Sequence, residues 1–569
     1  MTKRPLTHLG RLYFLHIPKT AGTSLRLWLE DFFDVEQCFP LYHSFELDGI
    51  APAQLEAHEF FTGHLRWRFV EDWGPALGLT VITFLRDPRA RSLSQLRYLR
   101  SFDAEQAARY REGTWVRGWL LDQLQSAGLP DEAIASLPRY RDEVGNEQCR
   151  ELGFTRDLAD DVRGDHLAGR VDAEVLDAAT AHLETIAAFG IVEDMDRSIL
   201  LIEDALGLPA RAMTLRRNET GATREPVSED LRAALDEANL HDRALYGRAR
   251  QLFEERWGAL LGRHGLDDAG SDDNALRPRM DEAFRLTDRG LARLAEIEAD
   301  MSRGLVLDGW DRRFEHPPLR RWLRWSEGSV GRVWLPIDRS AERTLRIDIA
   351  FMSDDADEQG LALAIDGRET EAERLYEIWP EDENFHLTLR AIVPVDADNP
   401  QYTEIALHVP AGGRLALSAV KVRETVERPP PVAGADDPPG LETDGWSAPF
   451  YFEPVGRTLR WSETAAPRLT LPLDRSVPLR LRLEIAYVAS EAVRDGLAVE
   501  LDGAPAEVAR DYEVWPEDGN FHLVLTAELP VRPGESPTEV LLRLPDIDAA
   551  DQQLAMARIA AGPVTEPDP

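Results

Sequence analysis

One lysine, one glycine and three hydroxyl side chains lie between an apolar run and an amphipathic run in RLYFLHIPKTAGTSLRLWLEDFF, Arg11–Phe33. Residues of these types in this order suit the binding of a phosphate-like anion. Lys19 brings a full positive charge, Thr20, Thr23 and Ser24 bring donors, and Gly22 lets the backbone come close. The elements that must position them are a buried strand, a short loop and a helix. The first N–H groups of that helix lack helical partners and carry the positive end of its dipole. A second set follows in LTVITFLRDPRARSLSQLRYLR, Leu79–Arg100. It reads as an apolar strand, then Arg86-Asp87-Pro88, then a helix with Pro88 in its first turn. Arg91, Ser94 and Tyr98 share one helix face by their spacing. Arg86 leaves the end of the strand, where ligands bind in open parallel sheets. An arginine fork and a serine hydroxyl converging there suit a phosphate monoester.

The loop is not a Walker A loop, because Lys19 precedes Gly22 instead of following a glycine-rich run. Alone, it would equally be an ordinary strand-to-helix turn, and the second set a solvated arginine-rich helix face. Together they resemble the 5′-phosphosulfate loop and 3′-phosphate motif of sulfotransferases that use 3′-phosphoadenosine 5′-phosphosulfate (PAPS). Ile186–Pro209 is similar to a late strand and helix of that family. Asn239, Asp242, Leu245 and Tyr246 resemble its closing helix, and NEQCREL, Asn146–Leu152, an N-x-Q-x-R segment of bacterial members. The pattern is most similar to the carbohydrate sulfotransferases typified by heparan sulfate 2-O-sulfotransferase, over residues 8–262.

The resemblance implies an α/β, P-loop-like domain with a parallel sheet, PAPS as co-substrate and a saccharide or glycoconjugate hydroxyl as acceptor. Lys19 would stabilise the leaving group, the loop Thr20, Ala21, Gly22, Thr23 and Ser24 would cradle the 5′-phosphosulfate, and Arg86 and Ser94 would hold the 3′-phosphate. The acceptor hydroxyl must lose a proton. Gly63-His64 resembles the segment carrying the base in glycan sulfotransferases, so His64 is the expected base, with His43 and His58 as rivals. His16, inside the first strand pattern, reads as a packing or hydrogen-bonding residue. No metal is implied.

At 569 residues the chain is too long for one core. A net charge of −37 disfavours nucleic acid and anionic membranes as partners. Arg66, Arg68, Arg97 and Arg100 could form a local basic patch, although solvated surface charge is the ordinary reading. Two cysteines, Cys38 and Cys149, argue against a disulfide framework. Without an apolar leader or a membrane-length apolar run, the expectation is a cytoplasmic bacterial protein with no membrane insertion.

The second half is duplicated at an offset of 136 residues: Gly309-Trp310 recurs as Gly445-Trp446, Leu345–Phe351 as Leu481–Tyr487, and YEIWPEDENFHL at Tyr376 as YEVWPEDGNFHL at Tyr512. Period-two alternation in LRIDIAF predicts short strands and two tandem all-β, jelly-roll-like sandwiches. The expected organisation is a sulfotransferase domain over 1–264, an acidic linker and connector helix over 265–304, a β-sandwich over 305–426, a Pro-rich linker over 427–441 and a second sandwich over 442–562. A helical pattern is expected from Met280 to Met301. Trp310, Trp322, Trp325, Trp379, Trp446, Trp461 and Trp515 could stack on sugars, but packing is the expectation for most. The acidic residues of WPEDENFH give a weak calcium signal. Acceptor recognition or assembly, including homo-oligomerisation, ranks above a second catalytic centre. Two other functions stay open: a P-loop nucleotide-dependent phosphotransferase, and a non-catalytic glycan-binding or assembly protein.

Overall fold

The computed structural model describes residues 4–41, 47, 50–113, 115–155, 171–210, 227–266, 273–353, 360–379, 381–382, 384–410, 412–425, 440–452, 455–515, 520–532, 537–545 and 554–563. The rival base His43 and nearly all of the expected Pro-rich linker lie outside them.

The N-terminal half is built on four parallel strands in the order β2-β1-β3-β4. They are β1 (Leu12–Leu15), β2 (Phe60–Gly63), β3 (Thr80–Leu85) and β4 (Ala188–Ile191). Every residue of β1 is buried, as expected for a strand covered on both faces. Tyr13 and Leu15 enter one core, while Leu12 and Phe14 enter the other. Helix α1 (Gly22–Glu30) contributes Leu25, Trp28 and Leu29 to the second core, whereas α2 (Arg66–Leu77) contributes Trp67 and Phe69 to the first. The chain thus leaves β1 towards β2 on one side and reaches β3 on the other. That makes the carboxyl end of β1 a switch point, where a crevice opens between outgoing loops.

Helix α3 (Pro88–Arg100) follows β3, with Pro88 in its first turn and Asp87 as N-cap, accepting from the Ala90 N–H at 2.8 Å. Further on come α4 (Glu147–Gly153), α5 (Ala173–Thr185), α6 (Met195–Leu206), α7 (Leu240–Arg263) and α8 (Asp273–Leu286). The helical expectation over Met280–Met301 is corrected beyond Leu286. Gly290 is left-handed at φ 74°, and Ile297–Asp300 is a strand with alternating burial that pairs with Leu415–Glu424. Ile297, Ala299 and Met301 follow the period of a strand, which a coarse apolar count over the segment conceals.

The C-terminal half is antiparallel. In the first copy the larger sheet centres on Arg343–Met352 and Leu415–Glu424, and the smaller on Thr403–His408 and Val330–Leu335. Their inward residues, among them Leu345, Ile347, Val333 and Ile405, share one core. The second copy repeats this arrangement around Leu479–Val488 and Leu554–Pro563. Even the strand irregularities recur: register shifts follow Asp348 and Ile349 in one copy, and Glu484 and Ile485 in the other. The chain is therefore an α/β region with a parallel sheet followed by two β-sandwiches.

The first sandwich is bonded into the N-terminal region. Trp334, Tyr402 and Val306 share a core with Trp28 and Phe32. The fully buried Arg324 pairs with Asp31 at 2.8 Å, Arg303 pairs with Asp34 at 3.1 Å, and Arg313 donates to the carbonyls of Phe33 and Glu30 at 2.9 and 3.0 Å. At the corresponding positions the second copy has Glu442, Thr470 and Pro537 in place of Val306, Trp334 and Tyr402. It has lost the large apolar side chains that dock the first.

Candidate anion and proton-transfer site

Three strand ends converge at the switch point. β1 runs into His16 and the Lys19 loop, β2 into His64, and β3 into Arg86. The loop is conformationally strained. Lys19 and Ala21 adopt left-handed φ values of 71° and 63°, which disfavour non-glycine residues. Such residues hold successive N–H groups towards a common concavity, and strain of this kind collects at binding sites. Ala21 is the N-cap of α1 and offers no side-chain cap, so the helix end presents amides instead of burying them under a carboxylate.

The loop is fastened from both sides. The Thr20 hydroxyl, fully buried, donates to the Ile17 carbonyl at 2.8 Å, so it braces the loop and does not stand ready for an anion. Thr23 is exposed and Ser24 half-buried at the start of α1. Arg86 donates from Nη1 to the Lys19 carbonyl at 3.1 Å, tying the two anion motifs into one structure. Lys19 Nζ rests 3.9 Å from the centroid of the Tyr98 ring. Burial lowers the Lys19 pKa, and the positive charges of Arg86 and Arg91 lower it further. Three cations close enough to repel one another are what a multiply charged anion would neutralise.

The Arg91–Ser94–Tyr98 face is graded. Tyr98 is 47% exposed at one end, Ser94 is half-buried, and Arg91 is completely buried at the other. Arg91 donates from Nη2 to Ser92 Oγ and the Val144 carbonyl at 3.3 and 3.4 Å, while its Nε and Nη1 have no hydrogen-bond partner among the described residues. Spacing alone placed Arg91 on a ligand face, without indicating a buried position.

The N-x-Q-x-R segment has a physical role that the sequence did not assign. Gln148, fully buried, accepts from the Arg86 N–H through Oε1 and donates to the Arg86 carbonyl through Nε2, both at 2.9 Å. Asn146 Oδ1 accepts from the His241 and Asp242 N–H groups at 2.9 and 3.0 Å. Asp242 returns the arrangement, accepting from the Gln148 and Cys149 N–H groups at 3.1 and 2.8 Å. Each side chain caps the other's helix. Arg150 closes the preceding turn through the Gly145 carbonyl at 2.9 Å.

His64 lies half-buried beside the loop. Its Nδ1 is 2.8 Å from the His16 carbonyl oxygen, which can only accept. Nδ1 therefore carries the hydrogen, and the neutral ring keeps its lone pair on Nε2. His58 lies before β2, at the opposite end of the sheet, with Nδ1 2.7 Å from the Gln54 carbonyl oxygen. Of the arginines weighed for a basic patch, Arg66 is buried against Glu151 at 3.3 Å, Arg68 is 3.4 Å from Asp72, and Arg100 pairs with Asp131 at 2.6 Å. These three are already committed to carboxylates.

In the sandwiches Trp310, Trp379, Trp446 and Trp515 are buried, whereas Trp322, Trp325 and Trp461 are half-buried. Trp379 is held between Arg321 and His386, and Trp515 between Arg457 and His522, with centroid distances near 4 Å throughout. Asp382 of the WPED segment accepts from His386 Nε2 at 2.9 Å, so it serves the fold.

No protein-family model matches the chain, and no curated protein does. Among solved structures, it is similar to the tandem CBM22-1-CBM22-2 domain of Paenibacillus barcinonensis Xyn10C, at 8% identity over 46% of this chain and 91% of that one, TM-score 0.16. The ANX1 ectodomain of Arabidopsis thaliana matches at 9% identity over 46% and 92%, TM-score 0.15. A Paenibacillus xanthan lyase matches at 13% identity over 46% and 25%, TM-score 0.15. At these scores the likenesses carry no argument about the chain.

Proposed function

We propose that the N-terminal region is a PAPS-dependent sulfotransferase acting on a hydroxyl of a saccharide or glycoconjugate. The observation that carries this reading is the hydrogen bond from Arg86 to the Lys19 carbonyl. It joins a helix-end anion loop to a second cationic arm beside a histidine whose tautomer leaves Nε2 basic. The P-loop-like reading of the fold belongs to the same proposal.

The residues present fit a donor with two anionic ends. Lys19 and the amides starting α1 suit the phosphosulfate end, and Arg86 with Ser94 suits the 3′-phosphate. The buried Arg91, with nitrogens that no described residue satisfies, adds positive potential from below. PAPS supplies an activated sulfuryl group: an S–O bond forms to the acceptor oxygen as the bond from sulfur to the bridging phosphate oxygen breaks. His64 Nε2 accepts the acceptor proton. Lys19 faces the charge that grows on the leaving oxygen, and its depressed pKa suits it to donate a hydrogen bond there. The sandwiches serve acceptor recognition or assembly.

The direct test is transfer of labelled sulfate from PAPS to a panel of polysaccharides by the full chain. Transfer that Lys19→Ala and His64→Gln each reduce by at least about a hundredfold supports the reading. Label transfer that neither substitution affects counts against the assignment of these roles.

A further inference from the structure

His16 precedes the anion loop and is 8% exposed. Its ring touches both halves of the site. One face stacks on Phe14, centroids 5.6 Å apart and 16° from parallel. It also stacks on His64, at 4.9 Å and 29°. Its Nε2 edge lies over Gly22: a Cβ built there would fall 1.7 Å from Nε2 and 1.8 Å from Cδ2. No side chain fits at position 22 while the imidazole is in place, which gives the loop glycine a second reason beyond backbone approach. His64 is held twice by the same residue, through the backbone carbonyl at Nδ1 and through the ring face.

We propose that His16 is a positioning residue for proton transfer: its ring, wedged between Gly22 of the anion loop and the face of His64, sets the tilt of the base and so keeps Nδ1 against the His16 carbonyl that fixes its tautomer. The proposal rests on the sulfotransferase reading for the meaning of that base, but the geometry stands apart from it. A flat ring is needed, because only a plane can stack on His64 and lie over a glycine together. A neutral ring is needed too, since a second charge would oppose protonation of His64. Three groups that act on His16 are basic: His64 after β2, Arg26 on α1 and Lys19 in the loop. Burial, and then these charges, hold the His16 pKa well below the usual histidine value.

The test uses the full chain with isotope-labelled histidine rings, with His64→Gln to assign the His64 signal. Variants His16→Phe and His16→Leu keep an apolar side chain of similar bulk in the core. Adenosine 3′,5′-bisphosphate binding is measured on each by calorimetry. In wild type and His16→Phe, His64 should show one Nδ1–H tautomer. In His16→Leu it should show mixed tautomers and a midpoint moved by about half a pH unit or more, roughly threefold in proton affinity. A His64 signal in His16→Leu identical to wild type overturns the proposal, as does His16→Phe behaving like His16→Leu. If wild type fails to bind the bisphosphate, the sulfotransferase reading fails and the catalytic meaning of the pair falls with it, whatever the tautomers show.

Discussion

Gln148 grips the backbone of Arg86 from both sides, with 2.9 Å bonds to its N–H and its carbonyl. A buried amide thus completes the end of β3 as another strand would, and aims the arginine that crosses to the Lys19 carbonyl. Gln148→Ala should leave a buried N–H and carbonyl unsatisfied and let Arg86 swing. The expected loss in bisphosphate affinity is about five- to thirtyfold, from roughly 1–2 kcal/mol of lost bonding. Calorimetry on the variant checks this, with circular dichroism to show that the fold persists.

Asn146 and Asp242 predict a stability effect of another kind. Each removes two orphan N–H groups from the start of the other's helix. Asn146→Ala and Asp242→Ala should each cost about 1–2 kcal/mol. Because the side chains sit at one junction, the double variant should depart from additivity, which denaturant titration of all four forms would reveal.

The first sandwich should be required for the N-terminal region, and the second dispensable for the donor site. Trp334 and Tyr402 fill the same core as Trp28 and Phe32. A fragment ending at residue 264 exposes that core and should aggregate, whereas one ending at 426 should fold and bind bisphosphate as the full chain does. Trp334→Ala should cost about 3–5 kcal/mol. Thr470→Ala, at the corresponding place in the second copy, should cost under about 0.5 kcal/mol. Thermal unfolding of each variant checks this.

Asp281 gives a prediction with a defined sign. Burial raises its pKa from 3.8 to about 6, against the Ala210 N–H that it accepts at 2.8 Å, and Glu404 and Asp308 of the sandwich push it the same way. The native state therefore holds this proton more tightly than the unfolded chain. The stability contributed is fully present below about pH 4 and is lost as pH rises to about 6. Asp281→Asn keeps an acceptor for Ala210 and removes the charge. It should stabilise the protein at pH 7 by about 1–2 kcal/mol and not at pH 4, as read from melting temperatures at both values.

Much of this was legible in the sequence, for reasons that differ by element. The β1 and β3 strands declared themselves as apolar runs, and Pro88 after Asp87 marked the start of α3, because strand burial and helix entry are local in origin. The repeat was legible because an unbroken offset needs no structural premise. What escaped was set by long-range contacts. Gln148 and Arg86 lie 62 residues apart, so no local pattern relates them. The Thr20 hydroxyl turned inward because Ile17 offers a carbonyl, a choice that spacing does not encode. Ile297–Asp300 became a strand because Leu415–Glu424 had an open edge to pair with. The role of His16 depended on seeing Gly22, His64 and Phe14 around one ring.

The measurement that bears most directly on the central claim is calorimetry of adenosine 3′,5′-bisphosphate with the full chain, in the absence of metal. Arg86→Ala and Lys19→Ala are run beside wild type, and ATP is the competitor, with and without Mg²⁺. The account predicts tight binding without metal, weakened at least about tenfold by Arg86→Ala, with ATP a poor competitor. No binding, or ATP binding equally well and only with Mg²⁺, would contradict it and point to a nucleotide phosphotransferase instead.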